Sequence, residues 1–441
     1  MLSLLFVMGL VASCGGGKEE GGNKAENTPA ANEPDLKPVT LTFYTLFDPS
    51  GGKPREWFMT NFGDAVVKKF PNVTFDFKFG QTINGKPFGL PEMIAAGDTS
   101  VDIVMTSAGS FLDAIIGTGL QYDHKELISK YKYNLSLLEP TTIQLMEELA
   151  GGKLHGIPIT TATNVLVYNR ELFKKFGVNY PKDGMTWDQL YDLAKSMTRT
   201  DGGVNYRGFA ASIGHIALSN QLSASFIDPV THEPQFSKDP RWAKHALNLK
   251  RFYEIPGNEV DKKTVKEHFQ QFTADKVAAM YVNTLGVTIL NPETYGIDID
   301  AAQLPEYADL PGIGSQHYPT YLSIINTSKN KEMAFQAIAW LTGEEVQTER
   351  ARKGYTTILK SEKARNALGE DLPYVKGRNI QAFMPKKPAA PSKLTEYNSM
   401  ANVQFIYKME EYLTGAVDLN TMLRQADEVV KTKIAEMKAG K

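Results

Sequence analysis

The sequence predicts two α/β domains, each a mainly parallel sheet flanked by helices. Three observations predict it. The stretch from Val39 to Lys441 is longer than one ordinary hydrophobic core supports. Strand-like and helix-like segments alternate along it, the order that builds parallel sheets through right-handed crossovers. Composition is globular, with 42% hydrophobic against 22% charged residues. The single cysteine, Cys14, rules out an intramolecular disulfide, so stability must come from the cores.

The elements follow in order. Val39 to Tyr44 is β-rich and runs into the turn-prone Asp48-Pro49-Ser50-Gly51-Gly52. From Trp57 to Phe70, Phe58, Phe62, Val66 and Phe70 share one helical face, and Pro71 stops the helix. Val73, Phe75, Phe77 and Phe79 alternate with polar residues as a half-buried strand. A short helix through Met93 to Ala96 precedes the apolar strand Val101 to Met105, and Ser110 is expected to cap the helix that ends at Gly117. In such sheets ligands gather at the carboxyl ends of the strands, here Thr45 to Ser50 and Thr106 to Gly109.

The second half repeats the alternation. Val165 to Tyr168 reads as a strand, and Asn169 caps the helix Arg170 to Phe176, which Gly177 closes. Thr186 and Gln189 form a capping box, and Asp239-Pro240 starts another helix. Lys276 to Val282, Ile297 to Leu304 and Tyr321 to Asn326 read as strands. Ser328 is expected to cap a helix with Phe335, Ile338 and Leu341 inward, and Leu394 to Lys441 reads as helix with a break near Gly415.

The N-terminus differs in kind. The apolar run Leu2 to Val11 is too short to span a bilayer, which takes roughly 20 residues. It fits the core of a secretory signal ending in small residues. No basic residue precedes Lys18, which points to a shortened signal or a start further upstream. Val11-Ala12-Ser13-Cys14 resembles a bacterial lipobox, so residues 1–13 are expected to be removed and Cys14 to carry lipid. Residues 14–38 are rich in Gly, Pro, Lys, Glu and Asn, with little to bury, and suit a flexible tether.

The body carries a family resemblance. "IAAGDTSVDIVMTSAG" (94–109), "GGKLHGIPITTATNVLVYNRELFKKFGVN" with "MTWDQLYDLAKSMT" (151–198), "FTADKVAAMYVN" (272–283) and "YLSIINTSKNKEMAFQAIAWLTGEEVQ" (321–347) stand in the order found in extracellular solute-binding proteins of the maltose and oligosaccharide type. The chain resembles that family from about Thr40 to Val346, with Ser100 or Val101 replacing the usual proline and Asp275 the usual glycine. The resemblance implies a two-lobed periplasmic-binding-protein fold of type II. Lobe one would be residues 39–161 and 321–365, and lobe two residues 162–320 and 366–441. It also implies a sugar or oligosaccharide in the cleft, hinge closure around it, and delivery to the permease subunits of an ABC importer. A monomer held at the outer face of the membrane by its lipid is expected.

The remaining signals are mostly exclusions. A net charge of −2 favours neither nucleic acid nor an anionic membrane. No G-x-x-x-x-G-K-S/T or H-E-x-x-H occurs and the seven histidines are scattered, so neither cofactor nor metal is expected. Ser212 lacks the first glycine of a nucleophile elbow. No carboxylate pair stands out for glycan cleavage. A binding protein is the expected class; a lipid-anchored glycan-cleaving enzyme and a ligand-sensing lipoprotein are the alternatives.

Candidate ligand contacts follow from position. Tyr44 is the stacking candidate and Asp48 the acceptor for sugar hydroxyls, unless Asp48 merely holds the turn before Pro49. Ser107 follows the third strand, where a helix cap is the other reading. Thr161 and Thr163 flank the first crossing, and Tyr318 and Tyr321 the second. The family draws polar contacts near His215, which could instead be a core histidine. Asn283 ends a strand at the cleft, and Tyr397 lies where the family often supplies a stacking ring. Trp187 and Trp340 read as packing; Trp57 and Trp242 read either way.

Overall fold

The computed structural model describes residues 37–48, 51–83, 86–384 and 387–439. Cys14, the signal and nearly all of the tether lie outside them. The described residues form two helix-covered sheets. The first is five-stranded, ordered Val73–Phe79, Val39–Thr45, Ile103–Ser107, Tyr318–Ile324, Ile157–Ala162. Its first three strands are parallel, as the β-α-β order requires. The hinge strand, Tyr318–Ile324, runs antiparallel to both neighbours because the chain re-enters this lobe from the other one. The second sheet is ordered Ala210–Ala211, Met280–Thr284, Asn164–Asn169, Ile299–Gln303. Only its first pair is parallel. The expectation of mainly parallel sheets is therefore corrected for this lobe, whose central strand, Asn164–Asn169, arrives straight from the first sheet.

Hydrophobic cores lie on both faces of both sheets, while the edge strand Val73–Phe79 stays partly exposed. In the first strand, Leu41 and Phe43 join a core with Phe58, Phe62 and Phe75, while Tyr44 enters the opposite core with Leu90, Val104 and Phe111. The face shared by Phe58, Phe62, Val66 and Phe70 survives a π-helical turn at Met59–Gly63. In the second sheet Leu166 and Tyr168 face one core, and Val165 and Val167 the other.

Caps fall where side chains can reach orphan amides. Asn169 Oδ1 accepts from Glu171 and Leu172, Thr186 and Gln189 form the reciprocal box, and Asp239 accepts from Arg241. Two expected caps fail. Ser107, not Ser110, precedes the helix Ala108–Phe111. Ser328 instead donates to buried Asp102 at 2.6 Å and accepts from the Asn330 amide, while Asn330 holds the N-cap position.

Candidate functional site

A groove of about 680 Å³ lies where the two lobes meet. Among the described residues the first lobe supplies only Gly109 and Ser110, with Tyr318 from the hinge strand. The second supplies Ser212 and His215 at the head of helix Ile213–Leu218, then Lys266, His268, Phe269 and Tyr281. One long helix, Asn398–Leu413, forms a wall. Its Ala401, Phe405, Met409 and Tyr412 are buried in the core. Ser399, Asn402, Val403, Ile406, Tyr407 and Glu410 line the groove on another face, at the 3–4 residue spacing a helix imposes. From Ser399 to Glu410 that face spans about 16 Å.

The wall offers both kinds of contact a solute with polar edges and apolar faces needs. Phe269 and Tyr407 keep 40% and 51% of their surface exposed, which leaves ring surface for stacking. His215 Nδ1 pairs with Ser212 Oγ at 2.8 Å, and burial holds its pKa below the ordinary value. His268 Nδ1 donates to the Ala211 carbonyl at 2.8 Å, and burial lowers its pKa to about 4. The ring is therefore neutral near pH 7, with Nε2 left as an acceptor that has no partner among the described residues. Glu410 pairs with Lys266 at 3.6 Å; desolvation raises the Glu410 pKa, partly opposed by Lys266.

On the opposite wall, Tyr318 Oη donates to Ser107 Oγ at 3.0 Å and its ring meets His215 edge-on at 6.3 Å. Gly109 permits this approach, since a Cβ there would lie 2.5 Å from Tyr318 Oη.

The sequence-derived candidates divide sharply. His215 and Tyr318 line the groove, and Ser107 stands one hydrogen bond behind it. Asn283 also stands one step back, donating to Tyr281 Oη at 3.1 Å. Asp48 accepts from the Gly52 amide at 2.9 Å, the bond of a turn residue, and is absent from the groove lining. Thr161 and Thr163 are buried at the crossing, the first bonded to His317 Nδ1 at 3.1 Å and the second to the Phe383 carbonyl at 3.4 Å. Three tyrosines need correction. Tyr44 is 1% exposed because both faces of its sheet are covered, so it offers no stacking surface. Tyr321 is fully buried, with its hydroxyl on the Thr142 carbonyl at 2.7 Å. Tyr397 packs in the second lobe's core with its ring against His232 at 5.4 Å.

Trp187, Trp242 and Trp340 are packing residues: the first two are buried, and Trp340 Nε1 donates to the Ala65 carbonyl. Trp57 packs edge-on against Phe62 at 5.5 Å. Phe269, Asn402 and Tyr407 were not legible as contacts; the one available signal was that residues 402 and 407 fall off the apolar face of their helix. Among the described residues no His, Cys, Asp or Glu cluster could hold a metal ion, and no helix is long and apolar enough to cross a membrane.

Two helix-covered lobes with an aromatic and polar groove between them define a two-lobed solute-binding architecture. The model of the bacterial extracellular solute-binding protein family matches residues 51–348, and the chain belongs to that family. Solved structures agree in fold. An ABC substrate-binding protein from Listeria monocytogenes in complex with cycloalternan is 15% identical, with a TM-score of 0.69, covering 90% of this chain and 100% of that one. The sugar-binding protein MalE from Xanthomonas citri is 16% identical, with a TM-score of 0.68 and coverages of 91% and 98%. A cyclic alpha-maltosyl-1,6-maltose binding protein from Arthrobacter globiformis is 14% identical, with a TM-score of 0.68 and coverages of 90% and 98%. The family is a family of extracytoplasmic binding proteins.

Proposed function

We propose that this chain captures a sugar or oligosaccharide in the interlobe groove and hands it to the permease subunits of an ABC importer. The observation that carries the reading is the groove helix, which sets exposed Tyr407 beside Asn402, Ser399 and Glu410 and opposite Phe269. Stacking on the apolar face of a sugar ring and hydrogen bonds to its hydroxyls both find partners there. The volume falls within the roughly 300–1,000 Å³ of small-molecule sites. The sugars named for the structural relatives support the same class.

Glu410 is the one carboxylate among the described lining residues, whereas glycan cleavage ordinarily needs a pair. This favours binding without turnover. The proposed partition is lobe one at 39–161 and 321–365 and lobe two at 162–320 and 366–441. It is supported by Ile358, Leu359 and Ala364 packing in the first lobe's core and Leu368 in the second's. The hinge strand begins at Tyr318, three residues before the proposed boundary. Residues 1–13 would be a signal and Cys14 the lipid anchor, with the monomeric body outside the membrane on its tether. A thermal-shift screen over mono- and oligosaccharides tests the function, since a bound ligand raises the melting temperature with its occupancy. A panel that leaves the melting temperature unmoved counts against it.

A further inference from the structure

Behind Tyr318 lies a second, smaller space of about 30 Å³. It shares Gly109, Leu218, Tyr318 and Ser399 with the groove, so the two are contiguous. Both lobes build it: Leu112 and Leu145 come from the first, Leu394 and Asn398 from the second. Its lining is mostly apolar, with Asp113 at the edge and partly in solvent.

Asn398 is the feature that the fold alone does not explain. It is only 5% exposed, and its Oδ1 accepts from the Thr395 amide at 2.8 Å and the Thr395 hydroxyl at 3.1 Å. An amide N–H can only donate, so these bonds fix which end of the carboxamide is oxygen. Nδ2 is left buried with no partner among the described residues. A buried donor without an acceptor is costly, so a site that leaves one open calls for an oxygen from elsewhere. On the other lobe burial raises the pKa of the Asp113 carboxylate, and the Ser399 hydroxyl, one residue along the same helix, partly opposes this.

We propose that this chamber is an end subsite: it takes the terminal hydroxymethyl group of a linear oligosaccharide whose remaining rings lie along helix Asn398–Leu413. The terminal oxygen would accept from Asn398 Nδ2 and donate towards Asp113, bridging the lobes. The space is small enough to take a group of this kind and not a whole sugar ring. A cyclic oligosaccharide also carries hydroxymethyl groups, but its closed ring cannot lie as a rod along the helix with one end in the chamber. The inference rests on the reading of the groove as a sugar site and narrows it to chains with an end.

The test is calorimetric titration of the mature protein with maltotriose, mannotriose and α-cyclodextrin. At least one linear trisaccharide should bind about tenfold or more tightly than the cyclic probe. Asn398→Asp keeps the acceptor for Thr395 and replaces the donor by a second carboxylate; it should weaken the linear probe about tenfold at an unchanged fold, verified by circular dichroism. Leu145→Phe, which fills the chamber from the other lobe, should do the same. Equal affinity for linear and cyclic probes, or full affinity in both variants, overturns the end subsite and leaves the groove standing. Failure of all three probes overturns the subsite together with the sugar reading.

Discussion

The two walls of the groove are built in opposite ways. Lobe one meets the ligand space with a glycine, a serine and the hinge tyrosine, and keeps its large side chains in its cores. Lobe two presents exposed aromatic rings, two neutral histidines and a helix whose second face is given over to the groove. The difference teaches a division of labour. On the proposed reading, lobe two would hold the solute and lobe one would cover it.

The largest expected effect tests the lobes as folded bodies. Burial pushes the pKa of His124 down to about 3 and those of His245 and His317 to about 4, with His268 likewise near 4. Their folded-state pKa values lie below the ordinary 6.5, so the unfolded chain binds protons that the folded one does not. Their stabilising contribution is intact above pH 6.5 and is lost as pH falls towards 4, by up to about 1.4 kcal/mol per pH unit for each histidine. Melting temperature should therefore fall steadily over that window. His245 and His268 sit in lobe two and His124 in lobe one. Hydrogen exchange should accordingly show lobe two loosening first in acid; a uniform response would break the contrast.

Next comes Tyr44→Ala. Removing a buried aromatic side chain should cost about 3–5 kcal/mol of stability. Denaturant unfolding should show that loss, while sugar affinity of the still-folded fraction stays the same. Tyr407→Ala should behave in reverse, weakening binding by about 1–3 kcal/mol, or roughly five- to more than a hundredfold, with little change in melting. If the two variants exchange phenotypes, the assignment of the walls is wrong.

That reversal also shows what the sequence could reveal. Strands, caps and the amphipathic face from Phe58 to Phe70 were readable because periodicity and capping chemistry are local. Tyr44 was misread because position at a strand's carboxyl end says nothing of which core its side chain enters. Val104 beside it and Phe111 above decide that, and both are distant in sequence. Tyr407 and Phe269 were missed for the converse reason. An aromatic on a helix reads as packing until the neighbouring lobe is seen to leave it uncovered. Gly109 was legible only as part of a motif; its purpose, room for Tyr318, is a tertiary fact.

The smallest expected effect is at the groove's outer end. Lys266 is more than half exposed, so Lys266→Met should change stability by less than about 1 kcal/mol despite its pairing with Glu410. A larger loss in chemical denaturation would give that pair a structural role that the contrast between the walls does not assign to it.

The most direct test of the account is a crystal structure with the tightest-binding sugar of the thermal-shift panel. The account predicts sugar rings against Tyr407 and Phe269, hydrogen bonds with Asn402 and Ser399, a sugar hydroxyl donating to His268 Nε2, and lobe one touching the ligand only near Gly109, Ser110 and Tyr318. A sugar held mainly by lobe one, at Asp48 and the loop beyond it, would contradict it.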